Sequence, residues 1–330
     1  MSSPAEISDR FACFGSWCEA FVGGASGERS PEEALELVKD ALTGWDQRFS
    51  RFRGDSELTR LNEDPRGAVP VSPLMARLAE IVHLAGSTTG GLVDSTLIDE
   101  LATAGYDRDL RDPLALASAL AQAPARRPAA ASPRCAWAQL EVDRAGGLLR
   151  RPPGVKLDSG GLAKGLFADV LAERLQGHSS FAVNCAGDLS IGGRESILRA
   201  VNVESPFDAS ILHTFELARG GVATSGIGKR SWLDARGAPA HHLLDPSTGT
   251  PAFTGIVQVT ALAPSAVMAE IQAKAAILSG PRHARRWLAH GGVIVLEDGS
   301  HTVIDPPPVV TLRQPSAAAQ PTLRRAVQHA

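Results

Sequence analysis

The sequence predicts an α+β fold of two packed layers, and three observations lead to this fold class. The first third of the chain carries amphipathic helices with clear N-terminal caps. Beyond an Ala-, Pro- and Arg-rich linker at 123–133, short strands predominate. The two kinds of element do not alternate regularly, as they would in a parallel sheet of the Rossmann type. A Rossmann sheet is therefore not expected.

In the N-terminal third of the chain, the sequence predicts one strand and three helices. The stretch 11–22 is predicted to be a strand that ends in a hairpin turn at 23–27. Ser30, Pro31 and Glu33 combine an N-cap, a proline at the first helical position and a capping-box glutamate. Helical spacing of apolar residues then continues through Leu35, Val38, Leu42, Trp45 and Phe49. A second helix is predicted to begin at Ser72-Pro73, and a third spans 112–122.

Beyond the linker, apolar runs predict a series of short strands interrupted by three helices. The predicted strands are 140–142, 148–150, 154–157, 181–185, 199–204, 214–217 and 256–261. The predicted helices are 162–175, 266–278 and 282–289. Strands at 292–297 and 302–305 flank Asp298-Gly299, which is a strong hairpin signal. The tail from 306 onward is rich in Pro, Ala and Gln.

The segment 157–165, with the sequence LDSGGLAKG, is the most informative part of the chain. A carboxylate, two adjacent glycines and a lysine stand where a strand should lead into a helix. Glycines there let backbone N–H groups approach a ligand, and a helix N-terminus presents unpaired donors with partial positive charge. Lys164 adds a mobile cation that suits a phosphate. The alternative is an ordinary glycine-bearing turn with a solvated lysine, because a short glycine pattern is weak evidence.

Composition limits the class of protein. The chain has 330 residues, is 44% hydrophobic and 21% charged, and has a formal charge of −3 with a pI near 6.3. This balance gives no electrostatic reason to expect binding to nucleic acid or to an anionic membrane. Four cysteines without a CxxC pair argue against a disulfide framework, zinc or a redox dithiol. No apolar run reaches the length of a spanning helix and no signal peptide is recognisable, so a cytoplasmic protein is expected.

Six segments occur in an order that resembles the FAD:protein FMN transferase (ApbE) family. They are FSRFRGDSELTRLN at 49–62, GGLVDST at 90–96, DSGGLAKG at 158–165, NCAGD at 184–188, VATSG at 222–226 and HHLLDPSTGTP at 241–251. Each segment is weak evidence alone, but six in this order are specific, and the similarity extends from about 11 to 297. The resemblance implies an α+β fold with a flavin cleft between two layers. It also implies one catalytic unit over 1–305, with sub-regions of about 1–130 and 134–305, followed by a tail at 306–330.

The family resemblance implies a reaction and a set of site residues. The implied enzyme transfers the FMN half of FAD to a Ser or Thr hydroxyl of an acceptor protein and releases AMP, with magnesium beside the pyrophosphate. His242 matches a histidine close to the reacting phosphate and is the expected general base. Thr224 is expected to line the acceptor approach or to bind phosphate oxygens. The expected FAD-binding residues are Phe14, Phe52, Leu92, Val93, Asp94, Asp158, Lys164, Thr224 and Leu244.

Three of these residues also have structural interpretations. Asp94 follows two glycines and is equally consistent with the cap of a helix that begins near Ser95. Phe52 is either a stacking platform or part of the core. Histidines beside Asp245-Pro246, such as His242, often only hydrogen-bond a turn. Asp245 itself is expected to order the turn that follows it.

The implied metal site departs from the family pattern. Gly161 matches a ligand that acts through its carbonyl oxygen, whereas Glu270 and Lys274 stand where the family has an aspartate and a Thr or Ser. Glutamate still offers an oxygen to a hard cation, but a protonated lysine has no acceptor. Glu270 and Lys274 therefore form either a simple helical ion pair or a site in which the ammonium replaces magnesium. The second interpretation leaves magnesium uncertain.

Two other functions remain open at this stage. In an FAD pyrophosphatase, water would replace the acceptor hydroxyl in the same site and yield FMN and AMP. A protein that binds or delivers FAD without catalysis is the second alternative, and the altered pair Glu270 and Lys274 is its main support. The nucleophile depends on access to the phosphate, which the sequence does not reveal.

Overall fold

The computed structural model describes residues 6–27, 29–108 and 114–307, and these contain seven α-helices and seventeen strands. The helices are α1 (Pro31–Phe49), α2 (Glu57–Glu63), α3 (Pro73–Thr89), α4 (Ile98–Thr103), α5 (Leu116–Ala121), α6 (Ala163–Leu175) and α7 (Ala266–Ser279). The strands are β1 (Glu6–Cys13), β2 (Ser16–Gly23), β3 (Ala68–Pro70), β4 (Glu141–Asp143), β5 (Leu148–Arg150), β6 (Ser180–Cys185), β7 (Asp188–Gly192), β8 (Arg199–Glu204), β9 (Ile211–Leu217), β10 (Gly220–Gly226), β11 (Ser231–Leu233), β12 (Pro239–His241), β13 (Leu244–Asp245), β14 (Thr250–Pro251), β15 (Ile256–Ala263), β16 (Gly292–Leu296) and β17 (His301–Ile304).

An eight-stranded sheet forms the centre of the fold, in the order β1-β2-β6-β7-β10-β15-β16-β17. Every neighbouring pair in this sheet is antiparallel. A three-stranded sheet (β3-β5-β4) and three two-stranded ribbons (β8-β9, β11-β12 and β13-β14) surround it. The predicted α+β class is confirmed, and the antiparallel pairing excludes a Rossmann sheet.

The chain reverses earlier than predicted near its N-terminus. The predicted single strand over 11–22 is wrong, because β1 and β2 form a hairpin around Phe14-Gly15. Both turn residues have positive φ (55° and 65°), as a two-residue hairpin turn of the primed type requires. Phenylalanine is not a residue that signals such a turn, whereas the glycines at 23–27 are. Gly23 instead ends β2, and Gly24 and Gly27 lie in the connection from β2 to α1.

Two predicted helix starts are confirmed in detail. The Ser30 hydroxyl accepts a hydrogen bond from the Glu33 N–H at 3.2 Å, and Glu33 accepts one from the Ser30 N–H at 2.9 Å. Ser72 caps α3 by accepting from the Met75 N–H at 3.2 Å. Of the predicted third helix at 112–122, the described residues are helical over Leu116–Ala121 (α5), while 112–113 lie outside the described residues.

Two predictions around helices need correction. No strand forms over 154–157, because the Asn62 side chain takes the place of a partner strand there. Its amide accepts from the Leu157 N–H and donates to the Leu157 carbonyl, each at 2.8 Å. The predicted helix over 282–289 is reduced to a 3₁₀ turn at Ala284–Trp287. Of the predicted tail at 306–330, residues 308–330 lie outside the described residues.

Helices α6 and α7 cap each other's first turns. Asp169 of α6 accepts hydrogen bonds from the N–H groups of Ala266 (2.8 Å) and Val267 (2.9 Å) at the start of α7. In return, Oε2 of Glu270 in α7 accepts from the Gly165 N–H in α6 at 3.0 Å. These bonds satisfy donors that a helix N-terminus leaves unpaired. The two helices are therefore fixed relative to each other where both approach the cleft described below.

The interior contains two large apolar clusters that meet at α7. One joins α1, α3 and α6 to β1, β2 and β6, and the other joins α7 to β15 and β16. α7 contributes Ile271 and Leu278 to the first cluster and Ala273 and Ile277 to the second. Within the described ranges, no helix combines the length and apolar character needed to cross a membrane.

Candidate active site

A cleft of about 320 Å³ lies where the two apolar clusters meet. Its walls come from the β1-β2 turn, the end of α1, the segment before α4, the 158–161 turn, the start of α6, the segment at 242–246 and α7. The lining is partly aromatic and partly cationic, with Phe14, Phe52 and Phe167 together with Lys164 and Lys274. An elongated ligand with apolar rings and negative charge matches such a surface.

Eleven of the thirteen residues predicted for the site line this cleft. They are Phe14, Phe52, Leu92, Val93, Asp94, Asp158, Gly161, Lys164, His242, Leu244 and Lys274. These residues come from segments separated by as many as 260 positions in sequence, since Phe14 and Lys274 lie at the two extremes. Thr224 and Glu270 do not line the cleft.

Thr224 lies on β10 and is directed away from α7. Its neighbour Ala223 packs against Ala269 of α7, and successive side chains of a strand point to opposite faces. The Thr224 hydroxyl instead shares a hydrogen bond of 2.8 Å with the hydroxyl of Thr260 on β15. The structure therefore does not bring Thr224 to the cleft.

Four charged side chains form a compact cluster in the cleft wall. Lys164 Nζ lies 2.5 Å from Oδ2 of Asp188 and 3.6 Å from Oε1 of Glu270. Lys274 Nζ donates to the same Oε1 of Glu270 at 2.9 Å. Glu270 is fully buried beneath the cleft, whereas both lysines line it. The two ammonium groups are therefore held at the surface of the cleft by two carboxylates behind them.

The environment of this cluster shifts several pKa values. Burial, followed by the nearby charge of Glu270, raises the pKa of Asp188 to about 7, against the opposing effect of Lys164. Burial disfavours the charged form of Lys164, but Asp188 and Glu270 outweigh it and raise the lysine pKa. Burial acts to raise the pKa of Glu270 too, yet Lys274 and Lys164 lower it overall. These directions favour the charged forms of Lys164 and Glu270, whereas they favour the neutral form of Asp188.

Aromatic side chains line the cleft in two groups. Phe14 stacks on Phe167 with 5.6 Å between ring centroids, and Phe49 meets the same ring edge-on at 5.1 Å. Elsewhere in the cleft, Phe52 meets Tyr106 edge-on at 5.7 Å. Phe52 is 42% exposed, so it is a surface of the cleft and not part of the core.

Asp94 lies in a turn and does not cap a helix. Its Oδ1 accepts from the N–H of Thr96 at 2.9 Å and from the Thr96 hydroxyl at 2.5 Å. The nearest helix, α4, begins only at Ile98 and has no side-chain cap. Burial raises the pKa of Asp94. Its carboxyl group lines the cleft and is therefore available to hydrogen-bond a ligand.

His242 is the histidine that lines the cleft, and its surroundings keep it neutral. Burial, with the nearby charges of Arg230 and Lys274, lowers its pKa well below the usual value. Its Nδ1 is buried and has no hydrogen-bond partner in the described structure. The adjacent His241 is buried, accepts a hydrogen bond from the Leu243 N–H at 3.3 Å and is a structural residue.

Sequence reasoning did not assign four residues that the structure brings to this site. Arg51, Tyr106 and Arg230 line the cleft, and Asp188 holds Lys164 from behind. Two of them stood in segments already singled out, since Arg51 precedes Phe52 and Asp188 ends the NCAGD segment. Tyr106 is the only tyrosine of the chain but lies in no recognisable motif. Arg230 approaches the β1-β2 turn, where its Nη2 donates to the Phe14 carbonyl at 3.4 Å.

The residues at the predicted metal position do not suit a divalent cation. Both carboxylate oxygens of Glu270 are already engaged, Oε1 by Lys274 and Oε2 by the Gly165 N–H. Lys274 is an ammonium group without a lone pair to donate. Nowhere in the described ranges do three or more His, Cys, Asp or Glu side chains form a group that could hold a metal ion.

Comparison with known proteins identifies what the chain resembles. The model of the ApbE family matches residues 15–296. A protein of Escherichia coli K12 named FAD:protein FMN transferase is 25% identical over 292 residues, covering 85% of this chain and 80% of the relative. A protein of Treponema pallidum with the same name is 28% identical over 294 residues, covering 81% and 76%.

Solved structures show the same fold. The ApbE protein of Thermotoga maritima superimposes with a TM-score of 0.73 at 24% identity, covering 91% of this chain and 97% of its own. The apo form of the Pseudomonas stutzeri flavinyl transferase ApbE gives a TM-score of 0.70 at 22% identity, covering 91% and 95%. At these identities the likeness concerns the fold.

Proposed function

This chain belongs to the ApbE family, and on that premise we propose that it is an FAD:protein FMN transferase. It moves FMN from FAD to a Ser or Thr hydroxyl of an acceptor protein and releases AMP. The observation that carries the proposal is that Lys164, Lys274 and His242 line one cleft together with aromatic rings. Because lining residues range from Phe14 to Leu278, we further propose that 1–305 acts as a single catalytic unit.

The two lysines suit the pyrophosphate of FAD. Each ammonium group lies in the cleft wall with a carboxylate behind it, so its position is fixed before substrate arrives. Lys164 also lies in the first turn of α6, whose N-terminus carries partial positive charge. Catalysis of phosphoryl transfer consists mainly of such positioning and charge stabilisation.

His242 is proposed to accept the proton of the acceptor hydroxyl. The hydroxyl oxygen attacks the phosphorus of the FMN half, and the bond from that phosphorus to the bridging oxygen breaks. AMP leaves with the bridging oxygen, and the hydroxyl proton passes to the imidazole. The imidazole is neutral because burial and neighbouring cations lower its pKa, and the negative pyrophosphate raises that pKa again when FAD binds.

Lys274 is proposed to supply the positive charge that a magnesium ion would otherwise provide beside the pyrophosphate. This follows from the engaged oxygens of Glu270 and from the ammonium group at the position where a ligand is expected. We therefore expect FMN transfer to continue at more than half its rate after dialysis against EDTA. Loss of nearly all activity, restored by magnesium, would show that an ion binds elsewhere in the cleft.

Product analysis distinguishes transfer from hydrolysis and from simple binding. The protein is incubated with FAD and a library of Ser- and Thr-containing peptides, and both peptide masses and AMP are measured. Transfer gives AMP together with peptides that have gained FMN, hydrolysis gives FMN and AMP with unmodified peptides, and simple binding gives neither. The proposal requires the first result.

Replacement of His242 tests the catalytic assignment. We expect His242→Ala to lower the transfer rate by about 10²- to 10⁴-fold while FAD still binds, because general base catalysis contributes roughly that much. His290→Ala is the matched control, since His290 is exposed and does not line the cleft. Equal rates for the two variants would remove His242 from the mechanism.

A further inference from the structure

Arg51 lies in the cleft in a geometry that structural needs alone do not explain. It follows α1 by two residues, and its guanidinium carbon lies 3.9 Å from the ring centroid of Tyr106 and 4.7 Å from that of Phe52. Its side chain is nine-tenths buried. Nη1 lies 3.8 Å from Oδ1 of Asp158, which is an ion pair at the limit of contact. Nη2 is buried and has no hydrogen-bond partner among the described residues.

A buried guanidinium nitrogen without a partner is unfavourable, because it has lost its water without gaining an acceptor. Arg151 also has unpaired nitrogens, but its Nη2 donates to the carbonyls of Leu61 and Asp64 and it does not line the cleft. Arg151 therefore has a structural role, because it binds carbonyl groups at the C-terminal end of α2. Arg51 has no comparable role, and its unpaired nitrogen lies in a wall of the cleft.

The guanidinium of Arg51 is held over two aromatic rings, which restricts its position. One of these rings, Tyr106, is itself stacked on Trp232, with centroids 5.1 Å apart. A guanidinium is planar and carries its N–H groups around its edge, which is the geometry used to bind phosphate oxygens. Preorganisation of this kind lowers the entropy lost when a ligand binds.

We propose that Arg51 binds the AMP phosphate of FAD and stabilises the charge that this phosphate gains during the reaction. This rests on the proposed function. Lys164 and Lys274 share Glu270, and the charge of Lys274 acts on His242, so the proposal assigns both lysines to the phosphate of the FMN half. Arg51 belongs to a separate charge group, with Asp158 and the 158–160 turn. As the bond to the bridging oxygen breaks, that oxygen becomes a terminal oxygen of AMP and carries one additional negative charge, which the guanidinium neutralises.

Separate titrations with AMP and FMN test this assignment, because each product fills one half of the cleft. Arg51→Gln removes the positive charge. Arg51→Lys keeps the charge but loses the planar set of N–H donors that a guanidinium provides. The matched control is Arg53→Gln, since Arg53 is exposed and bonds only Asp55 in the described structure. Binding of AMP is measured by calorimetry and binding of FMN by flavin fluorescence. Thermal unfolding of each variant checks that it is folded.

We expect Arg51→Gln to weaken AMP binding by about 10- to 100-fold, as the loss of a charge-assisted hydrogen bond predicts. Arg51→Lys should weaken it less, and FMN binding should stay within twofold for both variants. The rate of FMN transfer should fall with Arg51→Gln and be unaffected by Arg53→Gln. Inhibition of transfer by added AMP should weaken in the same proportion as AMP binding.

Three results would overturn the assignment. Equal weakening of AMP and FMN would mean that Arg51 only supports the shape of the cleft. Weaker binding of FMN alone would place Arg51 on the flavin half, and unchanged binding of both would leave it without a ligand. The proposed function fails independently, if wild-type protein transfers no FMN although its affinity for AMP still depends on Arg51.

Discussion

His241 and His242 are adjacent, yet the backbone gives them different roles. His241 is buried against the ring of Phe253, and burial lowers its pKa to about 3. His242 lines the cleft, and its pKa is lowered by burial and by the nearby cations Arg230 and Lys274. A neutral histidine in the folded state is protonated in the unfolded state once the pH falls below about 6.5. Acid therefore favours unfolding through both residues.

The pH dependence of stability should reveal the contribution of His241. Below about pH 6.5, His241 is protonated in the unfolded chain but stays neutral in the folded protein. The stabilising contribution of neutral His241 is therefore present at higher pH and is lost as the pH falls. We expect the stability difference between wild type and His241→Asn to change by about 1.4 kcal/mol per pH unit below 6.5, in favour of the variant. Urea unfolding at pH 7.5, 6.0 and 5.0 measures this. Parallel pH profiles would contradict it.

Glu270 and Lys274 should behave as one unit. Glu270 is fully buried, so removing its partner with Lys274→Met leaves an inadequately compensated charge and should lower stability by about 3 kcal/mol. Glu270→Gln/Lys274→Met removes both charges and should recover most of that loss while FMN transfer remains impaired. Urea unfolding of the single and double variants gives their coupling energy, which we expect to exceed about 2 kcal/mol.

The exposed pair Arg77 and Glu173 is the control for that cycle. Its two hydrogen bonds are short, at 2.7 and 2.9 Å, but Glu173 is 60% exposed at its side chain. Surface ion pairs of this kind contribute at most about 1 kcal/mol. If Arg77→Met and Glu173→Gln showed the same coupling energy as Lys274→Met and Glu270→Gln, burial would not explain the strong coupling of the buried pair.

Residues in short motifs were predictable from sequence, whereas residues that depend on chain crossing were not. The glycine-rich 158–165 segment was recognisable from residue type and local pattern, whereas the role expected of His242 came from the family resemblance. Asp245 orders its turn as expected, by accepting from the N–H and hydroxyl of Ser247 at 3.0 and 2.7 Å. Arg51 and Tyr106 could not be assigned to the site, because they come together by stacking between segments that are far apart in sequence. No local pattern predicts such a contact.

Helices α6 and α7 depend on a close approach at Gly165. A side-chain carbon there would lie 2.8 Å from Val267 Cα and 2.9 Å from the Ala266 carbonyl oxygen. Both are backbone atoms of α7, so they cannot move aside as a flexible side chain would. Mutual capping through Asp169 and Glu270 holds the two helices at this distance.

Alanine at Gly165 should therefore have the opposite effect to alanine at another helical glycine. We expect Gly165→Ala to lower stability by about 1–3 kcal/mol, because overpacking forces the helices apart. Gly44→Ala in α1 should raise it by up to about 1 kcal/mol, since a Cβ there meets nothing within 4 Å and alanine favours helix. Urea unfolding measures both. If the Gly165→Ala variant were more stable than wild type, α7 would have to shift away from position 165 at little cost.

Elements were predictable where their signals are local. The starts of α1 and α3 follow from Ser-Pro caps, and the hairpin of β16 and β17 follows from Asp298-Gly299. The strand predicted over 154–157 fails because Asn62, 95 residues away from Leu157, occupies its hydrogen-bonding positions. The hairpin of β1 and β2 was not predicted, because Phe14 adopts a left-handed backbone conformation that is usually found at glycine or asparagine.

The cleft joins parts of the chain that are far apart in sequence. The segment 92–97 before α4 and the segment 242–246 both contribute to its walls. A ligand that contacts both should stabilise them together, because binding to the folded state alone adds to its stability. The family relationship made this convergence predictable, whereas composition and periodicity alone did not.

Hydrogen exchange with and without FAD tests this linkage. We expect amides of both 92–97 and 242–246 to exchange more slowly with FAD, and amides of the exposed turn at 298–300 between β16 and β17 to be unaffected, since this turn does not line the cleft. At 100 times Kd, FAD should add about 2.7 kcal/mol to stability and raise Tm by several degrees. Slower exchange in only one of the two segments would mean that FAD does not span the cleft.

The buried carboxylate of Glu270 restricts which descendants of this protein remain viable. A lineage that replaced Lys274 by threonine in one step would leave that carboxylate with only the more distant Lys164 as a counter-charge. We expect such an intermediate to be destabilised unless a cation from solution takes over the vacated position. A medium rich in small cations should therefore widen the set of substitutions that position 274 tolerates.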